Sequence, residues 1–169
     1  MRQIVFLTLL ATSQLFSQKL IKSTDSFVIQ GEAVSAKTVK LTELKNWKSH
    51  DIGDVVITNH AGEKRGGAKQ LKGVLLRDIL QSVEINSESP KQLSEFYFVC
   101  NASDGYKVVF SWNEIFNTKV GDSVYIITSK EGKPTAELPE SVLLLSPNDF
   151  KTGRRHVKAL QSIEVKRAL

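Results

Sequence analysis

The chain has 169 residues, 41% of them hydrophobic and 24% charged, which suits one globular domain with a sizeable core and excludes a disordered or low-complexity tract. The formal net charge of +5 comes largely from scattered lysines, with no arginine-rich stripe among aromatics, so a small anionic ligand is a better expected partner than nucleic acid. A single cysteine excludes an internal disulfide.

At the N-terminus, Met1-Arg2 is a short positive region and Ile4 to Ala11 is apolar but too short to span a bilayer. A polar segment, Thr12 to Gln18, follows. This order predicts a secretory signal peptide over residues 1–18, a single domain over 19–169, and a periplasmic or secreted product that does not span the membrane.

Ser26 to Val34 alternates as a strand with a bend or bulge at Gly31, and Thr38 to Leu41 is a second extended piece. Thr42 caps a short helix over Glu43 to Trp47. After a turn at Asp51 to Gly53, Val55 to Thr58 reads as a strand. Asn59 to Gln70 has no apolar period and carries three glycines, which predicts a long loop. Leu71 to Val83 has the best helical period in the chain, with the helix expected to begin after Gly73.

Phe96 to Val99 is an aromatic and β-branched strand, Asn101 to Gly105 a turn, and Tyr106 to Ser111 the returning strand. Ser111 and Glu114 have capping-box spacing for a helical turn over Trp112 to Phe116. Cys100, at the end of an apolar strand, is expected to be a buried thiol. Ser123 to Thr128 is a strand with its turn at Glu131 to Pro134, Val142 to Leu145 is a buried strand, and His156 to Val165 carries the last strand with a bulge or bend. About eight short strands against three helical pieces predict an α+β domain, mostly antiparallel or mixed sheet.

The segments Gly73-Val74-Leu75-Leu76-Arg77-Asp78-Ile79-Leu80, Asp104-Gly105-Tyr106 and Arg155-His156-Val157-Lys158-Ala159-Leu160 occur in this order among the predicted strands. In that order the chain resembles the molybdopterin-binding domain of the sulfite oxidase family, in its short exported form, over roughly Phe27 to Val165. The resemblance implies a sulfite-oxidase-like molybdopterin-binding fold, an oxygen-transferring molybdenum oxidoreductase, and cofactor contacts at His60, Arg65, Asp104, Tyr106, Arg155 and Lys158. The cluster Arg154, Arg155 and Lys158 would face the cofactor phosphate, to which Arg and Lys offer donors and charge.

The chain departs from that family at three places. Catalytic members carry a molybdenum-binding cysteine where this chain has His60, in His60-Ala61-Gly62-Glu63-Lys64-Arg65. Their histidine and arginine before the last apolar strand fall near Leu138 and Leu143. A neutral imidazole lacks the charge donation of a thiolate to a high-valent metal, so ordinary catalysis and molybdenum ligation are both put in doubt. Molybdopterin remains the cofactor implied by resemblance, with no metal or catalytic residue assigned. The alternative is a non-catalytic periplasmic binding or scaffold module for an anionic ligand or a partner protein. A metal site made of His60, Cys100 and His156 matches no standard spacing.

N-terminal sequencing of the protein exported from a Gram-negative host is expected to begin near Lys19. An intact Met1 in a soluble cytoplasmic fraction would contradict the signal-peptide reading.

Overall fold

The computed structural model describes residues 20–31 and 33–168, and the predicted signal peptide lies outside them. In chain order the strands are β1 (Ser26–Gly31), β2 (Val34–Lys40), β3 (Ser49–Thr58), β4 (Lys64–Leu75), β5 (Phe96–Ala102), β6 (Lys107–Ser111), β7 (Tyr125–Lys130), β8 (Lys133–Pro134), β9 (Leu143–Leu145) and β10 (Leu160–Arg167). Two short α-helices, α1 (Leu76–Leu80) and α2 (Trp112–Phe116), and several 3-10 turns complete the described residues. A sheet-dominated chain with few short helices agrees with the α+β expectation.

The β5–β6 hairpin forms as its sequence predicts. Gly105 takes a positive φ of 90° in the turn, where a side chain would be strained. At the far end of the hairpin, Ser111 Oγ accepts from Glu114 N while Glu114 Oε2 accepts from Ser111 N, so the capping box starts α2. The hairpin belongs to a five-stranded sheet ordered β2-β1-β10-β5-β6, in which only the β1–β10 pair is parallel. A second sheet runs β3-β4-β7-β8, with β9 also paired to β7. One apolar cluster joins the two sheets: Phe27, Ile29, Phe98, Phe110 and Ile163 from the first meet Val74, Ile126 and Leu144 from the second, with Ile79 and Ile115 of the helices.

Two sequence expectations are corrected on β4. The predicted loop over Asn59 to Gln70 is a hairpin turn followed by strand, and the predicted long helix after Gly73 shrinks to the five residues of α1. Leu75, Leu76, Ile79, Leu80 and Val83 do keep a helical spacing, but they are divided among the end of β4, α1 and the turn after it, and β4 itself carries irregularities. The β3–β4 register shifts between Gly53 and Val55, opposite Gln70 with its φ of 49°, and the β4–β7 register shifts at Lys72/Gly73. Each bulge adds a residue to one strand. Ala68 and Leu71 therefore share a face at a spacing of three, which breaks the two-residue alternation by which a strand is read. Smaller differences follow the same pattern. The predicted helix at Glu43 is a 3-10 turn, Leu41–Asn46. The last strand begins at Leu160 rather than His156, after a left-handed Ala159 (φ 49°).

The 3-10 turn Thr152–Arg155 is seated on the end of β3. Thr152 Oγ1 donates to Val56 O at 2.7 Å and accepts from Thr58 N at 3.0 Å. A Cβ at Gly153 would stand 1.9 Å from Thr58 O, so only glycine permits this approach. From this seat the chain runs through His156 and Lys158 to β10.

One buried group, Cys100, and one half-buried group, His156, give the fold measurable signatures. Cys100 is fully buried between its register partners Val108 and Ile163, and burial pushes its thiol up to about 12. Labelling of the native protein by a disulfide reagent at neutral pH should be slower than in denaturant by on the order of a hundredfold or more, because the thiolate is the reacting species. His156 is held down to about 4, first by burial and then by Lys158, with Glu140 opposing. The unfolded chain takes up a proton near 6.5 that the native state refuses until about 4. Stability is therefore full above that range, falls as pH drops through it, and levels below it; the full loss is roughly 3 kcal/mol. A His156→Gln variant should show a flatter dependence of the urea midpoint between about pH 7 and pH 5.

Candidate functional site

Strand alternation divides β7 and β9 between two apolar environments. Ile126 and Leu144 face the main core, whereas Ile127, Leu143 and Leu145 join Val55, Ala68 and Leu71 in a second cluster. Ile57 and Leu138 pack at the edge of this cluster. Above it lies a cleft of about 270 Å³, floored by Ile57, Ala68, Leu71, Ile127, Leu143 and Leu145.

Charged groups complete the lining. Arg65 comes from β4 and Lys130 from the end of β7; Glu140, His156 and Lys158 come from the segments flanking β9. Lys158 Nζ donates to Glu140 Oε1 at 3.3 Å. Burial works to raise the Glu140 carboxyl, but its own backbone hydrogen bond together with Lys158 and Lys130 outweighs this and holds it below the ordinary carboxylate value. His156 contributes a neutral imidazole for the reason given above. Three cations against one carboxylate leave the lining with a positive excess, which suits an anion over an aliphatic floor.

Of the residues singled out in the sequence, Arg65 and Lys158 come together in this cleft, and the other four do not line it. His60 is exposed in the β3–β4 turn. That turn is organised by Asn59, whose Oδ1 accepts from the backbone N–H of Ala61 and of Glu63. Asp104 has a turn-forming role, its Oδ1 accepting from Tyr106 N at 2.9 Å. Tyr106 Oη donates to Arg154 O at 2.6 Å and ties the β5–β6 turn to the 3-10 turn at Thr152.

Arg155 is engaged inside the protein. Its Nε and Nη2 donate to the two oxygens of Asp149 at 2.7 and 2.5 Å, and its Nη1 donates to Glu114 Oε1 at 3.1 Å. The guanidinium carbon stands 4.6 Å from the centre of the Phe110 ring. The Asp149 hydrogen bond raises its already high pKa against the effect of burial. This is a staple between the start of α2 and the loop before the last strand, and it leaves the guanidinium little freedom to meet a phosphate.

Sequence reasoning missed Lys130, Glu140 and His156 as members of one site. The available signal was the uninterrupted apolar run Val142 to Leu145, which marks a strand covered on both faces and so a second environment behind the core. Leu143, at the family's expected cation position, is part of the cleft floor, and Leu138 packs beside it. Cys100 in the core and His60 at the turn do not meet His156. Among the described residues no group of three or more His, Cys, Asp or Glu is placed to hold a metal ion.

No protein-family model matches the chain, and no curated protein matches it in sequence. Among solved structures it is similar to the sulfane dehydrogenase SoxCD from Paracoccus pantotrophus, with a TM-score of 0.58 and 13% sequence identity over 86% of this chain. The match covers 39% of that structure's chain, so the present chain corresponds to well under half of its length. At this identity the likeness bears on fold alone, and it supports the sulfite-oxidase-like fold that the sequence resemblance implies.

Proposed function

We propose that this chain is an exported binding module on a sulfite-oxidase-like fold, and that it holds a small anionic ligand in the cleft between Arg65, Lys130 and Lys158. The observation that carries this reading is the cleft's composition: three cations at the opening of an aliphatic floor, with no thiolate among the lining residues. Export rests on the signal-peptide pattern of residues 1–18. No helix among the described residues is long and apolar enough to cross a membrane.

The molybdenum cofactor implied by the family resemblance needs a thiolate on the metal and cations on the pterin phosphate. Arg65, Lys130 and Lys158 suit the second requirement. The first is not met by the residues present. The single thiol is sealed in the core, and the family's cysteine position holds an exposed imidazole. The donor set therefore does not fit the metal-bearing cofactor, and no oxygen-transfer step is assigned to this chain. What these residues can do is attract an anion, orient its charged end toward the opening and exclude water from its other end.

Protein expressed with molybdate and an intact cofactor pathway should contain molybdenum far below one equivalent by elemental analysis. Near-stoichiometric molybdenum with a protein sulfur neighbour in X-ray absorption would refute the binding-module reading. Inorganic phosphate should bind weakly, in the millimolar range, and a Lys130→Ala/Lys158→Ala double variant should weaken it about tenfold or more.

A further inference from the structure

The cleft also carries information about the body of its ligand. Its floor is wholly aliphatic, with no amide or hydroxyl side chain in the lining, and the single ring, the His156 imidazole, stands with Glu140 and Lys158 among the polar groups rather than on the floor. A ligand part that reaches this floor finds dispersion contacts and few hydrogen-bonding partners, so a polar body would lose hydration without replacement. The charged end, by contrast, has Arg65, Lys130 and Lys158 at hand. The space of about 270 Å³ equals roughly nine water volumes at ~30 Å³ each, enough for about ten non-hydrogen atoms.

Gly66 points the same way. It lies within β4, paired with Ile57, and it is not at a positive φ. A Cβ there would meet no protein atom within 4 Å. Neither backbone conformation nor protein packing requires glycine at this position, although glycine inside a strand weakens it. From Gly66 to Ala68 the pairing with β3 is continuous, so the two residues share a face, and Ala68 belongs to the cleft floor. The missing side chain would therefore project into the cleft, which leaves room for a ligand to approach the backbone.

Resting on the anion-binding reading above, we propose that the ligand is an aliphatic monocarboxylate of about six to eight carbons. Its tail lies on Leu71, Ile127, Leu143 and Leu145 beside Gly66. Its carboxylate meets Lys158 and Lys130 at the opening, drawing Lys158 from its 3.3 Å contact with Glu140. No covalent step is involved.

Calorimetric titration of the full exported protein with octanoate, acetate, 1-octanol and inorganic phosphate tests this directly. Octanoate should bind at least thirtyfold tighter than acetate, since each buried methylene adds to binding, and at least tenfold tighter than octanol. Gly66→Val adds a side chain where none clashes and should keep or raise the melting temperature while lowering octanoate affinity at least tenfold. Lys158→Ala should bring octanoate close to octanol. Equal binding of octanoate and acetate would overturn the aliphatic tail, and equal binding of octanoate and octanol would overturn the carboxylate head. Octanoate binding that neither variant changes would overturn the site. If phosphate binds and octanoate does not, the anion-binding module stands and this ligand class fails; if neither binds, both fail.

Discussion

Two strands, β7 and β9, have to be apolar on both faces, and the rest of the molecule is arranged to satisfy them. Ile126 and Leu144 are sealed by the first sheet and the helices, while Ile127, Leu143 and Leu145 are buried on the reverse side. Full burial of one such side chain contributes roughly 1.5–3 kcal/mol, so neither face can be left to water without a large loss. The main core solves one side with close-packed side chains. The reverse side is closed by the curling β3–β4 hairpin and by long cationic side chains, whose methylene stems can lie over apolar surface while their charges stay wet. A cleft with an aliphatic floor and a positive opening is what this second solution leaves behind.

The basic residues around the last strand meet two different fates, and their chemistry explains which. Arg155 has a planar fork that matches the Asp149 carboxylate with two hydrogen bonds while reaching Glu114 and covering Phe110. It becomes a structural staple. Lys158, three residues later, is a flexible point charge held by one contact to Glu140. Its ammonium can exchange that contact for another anion at little cost. His156 lies between them in sequence, and burial keeps it neutral. The cationic character of the cleft thus resides in Lys130, Lys158 and the exposed Arg65; of the two arginines that the family resemblance selects, Arg65 lines the cleft and Arg155 does not.

Local chemistry was legible wherever neighbours in sequence are neighbours in space. The β5–β6 hairpin, its Asp-Gly turn, the Ser111–Glu114 capping box and the burial of Cys100 all depend on contacts within a few residues or on a simple apolar strand. Segment 59–83 was misread because a bulge on β4 sets Ala68 and Leu71 three apart on one face, and because Leu75, Leu76, Ile79 and Leu80 keep a helical spacing across the end of β4 and α1. A one-dimensional pattern does not mark where such a strand ends and the helix begins.

By itself, the sequence determined the α+β class, the central hairpin, the burial of the strand over Val142 to Leu145, and the absence of a thiolate at His60. Tertiary structure alone decided which charges share a site. Arg65 and Lys158 are 93 positions apart, and only the pairing of β4 with β7 and of β7 with β9 sets them around one floor with Lys130. Tertiary structure also took Arg155, Asp104 and Tyr106 away from that site by giving their polar atoms partners inside the protein. The physical reason is that a hydrogen bond or ion pair is settled by the distance between side chains after folding, and residue type records only what a group is able to bind.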